Sequence, residues 1–80
     1  MGIKKNLIRL MRLPTSMRIA DVVNIMQFMG YNLKRINGSH HYFLSKDLTD
    51  ALSVPVKNGK VKLVYLKLIK EIYEKFYSQN

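Results

Sequence analysis

The chain has two histidines, His40 and His41, and they stand side by side in the stretch Asn37-Gly38-Ser39-His40-His41-Tyr42-Phe43. With no cysteine and only five acidic residues among eighty, imidazole is nearly the only side chain here that exchanges a proton close to neutral pH. Metal ligation fits the pair poorly. Neighbouring residues on a strand point to opposite faces, and no third histidine, cysteine or carboxylate cluster completes a shell, so no metal, zinc included, is expected. Ser39 beside His40 lacks any spacing specific to a Ser-His-Asp triad, and a phosphate-binding glycine loop is absent. Acid–base chemistry on RNA remains. An imidazole can take the proton of a 2′-hydroxyl or give one to a leaving 5′-oxygen, while lysine and arginine stabilise the charge on phosphorus, and no cofactor is required. A turn histidine that only caps backbone or touches phosphate passively is the alternative, and spacing alone favours that passive role.

The elements that must hold this stretch are legible from periodicity. Tyr31–Ile36, His41–Ser45 and Ala51–Val56 are rich in β-branched and aromatic residues and separated by turn residues, which predicts a three-stranded antiparallel meander. Pro55 cannot donate to a ladder, so the third strand belongs at an edge. Alternation sends His40, Tyr42 and Leu44 to one face and His41, Phe43 and Ser45 to the other. Phe43 is the better core residue, which puts His41 on the covered side and His40 on the open one, unless a bulge at the turn exchanges them. Ile19, Val22, Val23, Met26 and Met29 recur at helical spacing and predict a helix over Met17–Gly30, with Ser16 as N-cap, Gly30 as stop, and Asp21, Asn24 and Gln27 turned away from the core. A second helix follows the Lys57-Asn58-Gly59-Lys60 loop, with Tyr65 or Leu66, Ile69, Ile72, Tyr73 and Phe76 on one side. The fold class is therefore α+β, in the order α-β-β-β-α. Both helices cover one sheet face, and the other face is left to solvent or a ligand.

Fourteen Lys and Arg against five Asp and Glu give a formal net charge of +9. Such a surface expects an anionic partner. Nucleic acid leads, with an acidic protein or an anionic membrane surface as rivals. One domain is all that this length supports. The first sixteen residues form a separate basic, amphipathic extension (1–16) ahead of the domain (17–80): Ile3, Leu7, Leu10 and Met11 lie on one side, Lys4, Lys5, Arg9 and Arg12 on the other, and Pro14 follows. Arg9 and Arg12 interrupt the apolar run too early for a signal peptide or a spanning segment, and Asn6 stands where a myristoylation start carries Ser or Thr. Docking on the core, self-association and a start at Met17 are all open to this extension. The absence of cysteine suits a cytoplasmic protein.

From Met17 to Tyr73 the order helix, Gly30-Tyr31, strand, Gly38-Ser39-His40 with Phe43 three residues on, strand, Val54-Pro55, then a basic helix entered through Lys62 resembles the HicA family of small toxins from toxin–antitoxin pairs. The resemblance implies a double-stranded-RNA-binding-domain-like fold, ribonuclease activity on mRNA, and neutralisation by a HicB-type antitoxin. It places the catalytic histidine on His40, with His41 in reserve, and a basic helix-entry position on Lys62. Lys34, Arg35, Ser39, Lys57 and Lys62 become candidate RNA contacts, and Tyr42 a surface for base stacking. The chain departs from the family pattern in carrying Lys57 where many members have a histidine, and Leu63-Val64 where many have a small pair. The expected function is a type II toxin that cleaves mRNA without a metal. A non-catalytic RNA-binding module of the same fold, and a basic subunit that docks an acidic protein, are the competing readings.

Overall fold

Phe43, Val54 and Tyr31 supply one side of the core, and the apolar stripes of two helices supply the other. In the computed structural model, which describes residues 2–78, the elements are α1 (Ile3–Met11), β1 (Ser16–Arg18), α2 (Ile19–Phe28), β2 (Tyr31–Asn37), β3 (His40–Ser45), β4 (Ala51–Pro55), β5 (Lys60–Lys62) and α3 (Leu63–Ser78). The sheet β2-β3-β4 is antiparallel throughout, with β3 in the centre and β4, which ends in Pro55, at an edge. Val22, Ile25 and Met26 of α2 and Leu66 and Ile69 of α3 are fully buried in one cluster with Phe43 and Val54. The α-β-β-β-α arrangement expected from the sequence is therefore present as α2-β2-β3-β4-α3, with both helices on the Phe43 face. A third helix and a two-stranded ribbon, β1-β5, add to it.

The helix expected from Met17 starts later. Ser16–Arg18 is extended and pairs with β5, Ser16 opposite Lys62, Met17 opposite Val61 and Arg18 opposite Lys60. Ser16 is therefore no cap; the cap position is Arg18, with no side-chain capping bond. Helical periodicity at Met17 is indistinguishable from strand alternation over so few residues. Burial of Met17 against Val61 decides for the ribbon. The Ile19 N–H finds its acceptor in the Gly59 carbonyl at 2.9 Å, and Asp21 places negative charge in the first turn, where the helix dipole favours it.

Of the polar positions of α2, Gln27 is exposed as expected, but Asp21 and Asn24 are not turned to solvent, because α1 covers them. Leu10 is fully buried and joins the same core as Met17. Asn6 is buried too, and its Nδ2 donates to Asn24 Oδ1 at 3.0 Å. Asp21, likewise buried, takes Arg9 at 3.5 Å and Arg18 at 3.6 Å. Of the roles open to the first sixteen residues, docking on the core is the one α1 takes. Leu10→Ala should accordingly cost about 2–5 kcal/mol of unfolding free energy, read as a lowered urea midpoint. Ile8→Ala, at a half-exposed position on the same helix, should stay within about 0.5 kcal/mol of the parent.

At the far end of the sheet from the histidines, the β3–β4 loop is closed by one carboxylate. Asp47 Oδ1 accepts the Thr49 hydroxyl at 2.7 Å, the Ser45 hydroxyl at 2.7 Å and the Thr49 N–H at 3.2 Å. The Thr49 hydroxyl first, then the Ser45 hydroxyl and the Thr49 N–H, hold the Asp47 carboxyl below its ordinary range. Nearby Tyr31 is shifted upward, mainly by burial and then by the charges of Asp50 and Asp47. A depressed carboxyl favours the folded state above its unfolded pKa, and that contribution is lost as pH falls through the folded value. Thr49→Val should therefore raise the titration midpoint of Asp47, followed through its carboxyl carbon NMR shift, while an unmoved midpoint would remove the hydroxyl as the cause.

Candidate nucleic-acid interface

Asn37 pairs with His40, so the loop between β2 and β3 is the two residues Gly38-Ser39 rather than Asn37-Gly38. Gly38 carries φ +60°, and it is the single residue of the turn with positive φ. That is the type II′ pattern, whose twist matches that of the flanking strands. The tight turn begins strict alternation at His40. His40 stands on the open face between Asn37 and Pro55, and His41 lies on the covered face between Ile36 and Val54.

Lys34 and Arg35 reach the open face through a bulge. Simple alternation would send these neighbours to opposite sides, but the β2–β3 register shifts between Leu33, opposite Phe43, and Arg35, opposite Tyr42. Lys34 is the extra residue, and Lys34 and Arg35 together line a shallow depression with Tyr42, Leu44, Ala51 and Ser53. A bulge of this kind re-aims side chains without disturbing the flanking ladder. The Arg35 guanidinium carbon lies over the Tyr42 ring, 4.9 Å from its centroid. The His40 ring, two residues before Tyr42 on β3, has its centroid 6.3 Å from the Tyr42 centroid, with planes tilted by 32°. Guanidinium and imidazole thus both neighbour the Tyr42 ring, one across the strands and one along β3. Cation–π contact at such an exposed place is worth about 0.5–1 kcal/mol, enough to orient Arg35 and little more.

A second group of sequence candidates gathers at the His40 end of the sheet. Ser39, Lys57 and Lys62 line a small groove with Pro55, Val56 and Tyr65. The Val56 N–H donates to the Ser39 carbonyl at 2.6 Å and ties the hairpin turn to the chain after β4. His40 itself is not on the groove wall, but its chain neighbour Ser39 and its cross-strand neighbour Pro55 are. The groove therefore lies at the histidine-turn end of the sheet, with Tyr65 of α3 on its wall. His40, Arg35, Lys34, Lys57 and Lys62 are all exposed, and among the described residues none of the four cations stands in an ion pair. The ion pairs present engage Arg9, Arg18 and Lys70 instead.

His41 is differently placed. It is half-buried, and its Nδ1 is sealed from solvent without a hydrogen-bond partner among the described residues. Such an atom costs free energy and is poorly placed to meet a substrate from the open face. Among the described residues no group of three His, Cys, Asp or Glu side chains could hold a metal ion, and no described helix is long and apolar enough to cross a membrane.

Sequence reading missed two contributors. The bulge at Lys34 leaves no signature in a strand that already reads as near-alternating. Lys60 looked like a loop lysine, although Asn-Gly between Lys57 and Lys60 is a hairpin signal: Asn58 and Gly59 take φ +53° and +74°, and Lys57 bridges to Lys60.

The family model for the HicA toxin of bacterial toxin–antitoxin systems matches residues 19–74. No curated protein and no solved structure matches the chain. The match starts at the first residue of α2 and runs into α3, so it takes in the sheet, the histidine turn and Lys57 and Lys62, and leaves α1 and β1 outside. With well over half of its length matched and the matched part folded as α2-β2-β3-β4-α3, this chain belongs to the HicA toxin family of bacterial toxin–antitoxin systems.

Proposed function

We propose that this HicA-family chain is a cytoplasmic toxin that cleaves mRNA without a metal, uses His40 as its general acid–base group, and is restrained by a HicB-type antitoxin. The observation that carries this reading is the setting of His40: an exposed imidazole on an uncovered sheet face, next to the Tyr42 ring that also carries Arg35, within a family-matched segment. RNA suits the setting because an exposed ring and a guanidinium offer stacking planes for unpaired bases, and lysines offer charge to phosphates.

In this reading a base stacks against Tyr42 while Lys34 and Arg35 hold phosphates on the open face. His40 takes the proton of the 2′-hydroxyl next to the scissile phosphate. The 2′-oxygen attacks phosphorus, and the bond to the 5′-oxygen breaks as that oxygen receives a proton. The products are a 2′,3′-cyclic phosphate and a free 5′-hydroxyl. Lys57 and Lys62, at the groove beside Ser39, stabilise the extra negative charge of the five-coordinate phosphorus. The paired histidines favour such a scheme over metal ligation, since they face opposite sides of the sheet.

Incubating a defined mRNA with purified protein in EDTA tests the reading. His40→Ala should lose cleavage by a factor of about 10²–10⁴, the usual share of one general acid–base group, and should retain salt-dependent RNA binding. His41→Ala should still cut under native conditions. Intact RNA with folded wild type would leave a non-catalytic RNA-binding module, and full activity in His40→Ala would remove His40 as the catalyst.

A further inference from the structure

The groove at the histidine turn does not end at Lys62. A second depression is lined by Thr15, Ser16, Lys57, Lys60, Lys62 and the start of α3, and it shares Lys57 and Lys62 with the groove that reaches Ser39. The two depressions adjoin at these lysines, so basic surface extends from the histidine turn, past Lys57 and Lys62, to the ribbon of β1 and β5. We infer that this ribbon is a further phosphate-binding stretch of the RNA path, with Lys60 as its principal contact and Thr15 and Ser16 as hydroxyl donors, holding the strand on one side of the scissile bond.

Three observations support the assignment, which rests on the reading of the chain as an RNA-cleaving toxin. First, the ribbon has one dry face and one wet face. Met17 and Val61 pair and are buried, so alternation turns Ser16, Arg18, Lys60 and Lys62 outward. Secondly, these outward lysines and Lys57 stand in no ion pair among the described residues, and Asp21, near the Lys60 partner Arg18, is taken by Arg18 at 3.6 Å. Three like charges gathered at one hairpin repel one another in the free protein, and a polyanion relieves that repulsion. Thirdly, the spacing suits a nucleic-acid backbone. Lys60 and Lys62 are two residues apart on one strand face, roughly 6.6 Å along the strand, close to the separation of consecutive phosphates in an extended single strand.

The ribbon is rigidly held, as a phosphate cradle should be. Asn58 and Gly59 close the hairpin, the Gly59 carbonyl accepts from Ile19 at the start of α2, and the Thr15 carbonyl accepts from Leu63 at the start of α3 at 3.0 Å. β1 lies outside the family-matched segment. This part of the basic surface is thus built partly by residues that the family pattern does not include.

Binding of a fluorescent 2′-O-methyl oligouridylate, which cannot be cut, tests the assignment across a series of KCl concentrations. Lys60→Gln should weaken binding several-fold at low salt and lower the slope of log affinity against log salt by about 0.7, the share of one phosphate contact on a single strand. Lys46→Gln, in the loop at the opposite end of the sheet, should change neither. Lengthening the oligonucleotide at one end should strengthen binding to the wild type more than to Lys60→Gln. An unchanged slope and affinity in Lys60→Gln, with the wild type binding RNA normally, would overturn the ribbon site and leave the His40 interface standing. Failure of the wild type to bind at low salt would overturn both. A Lys60→Gln defect confined to an acidic protein partner would reassign the ribbon to protein contact.

Discussion

Burial of one aromatic ring decides which way the two histidines face. Phe43 is 1% exposed at the centre of the middle strand, packed against both α2 and α3. Side chains on a strand alternate with a period of two, so anchoring Phe43 inward forces Tyr42 outward, His41 inward and His40 outward. A slip of one residue would bury Tyr42 and His40 and expose Phe43 and His41. The apolar ring is thus what presents the imidazole, and the free energy of core formation enforces its direction. The Gly38-Ser39 turn maintains this arrangement up to the first residue of β3, because a two-residue loop leaves no slack for the histidines to exchange places.

The distribution of the few acids matters as much as the many bases. Asp21 is committed to Arg9 and Arg18 at the junction of α1 and α2, Asp47 to the hydroxyls of its own loop, and Glu74 to Lys70 on α3. None of these stands at the histidine end. The cations of the open face and of the adjoining depressions are left unneutralised, while the two acids of the β3–β4 loop sit at the other end of the sheet.

The additions to the family-matched core act on the same end. α1 covers Asp21 and Asn24 of α2 and completes the core through Leu10, which brings the following strand β1 alongside β5. That pairing turns the hairpin carrying Lys57, Lys60 and Lys62 into a braced ribbon instead of a free loop. A segment that looks like a detached basic extension in sequence is thereby coupled, through backbone hydrogen bonds, to the groove beside the histidine turn.

Much of this was legible in the residues alone. The two apolar stripes, the meander, the edge position of Pro55 and the unequal facing of the histidines all follow from local periodicity and from the stereochemistry of proline and glycine, which act over a few residues. The sequence by itself also determined the excess of positive charge. Tertiary structure decided what depends on distant partners. Met17 is a strand residue because Val61 is there to pair with it, and Asp21 and Asn24 are covered because α1 packs on them. Lys34 and Arg35 share a face because the β2 register shifts opposite β3. Lys57 and Lys62 line both the groove at Ser39 and the depression at Thr15 and Lys60 because β5 pairs with β1 next to the end of β4. Periodicity tells which way a side chain points within its own element, but long-range pairing selects the element's register and its neighbours, and those placed Lys34 and Arg35 beside Tyr42 and brought Lys57 and Lys62 to the groove at Ser39.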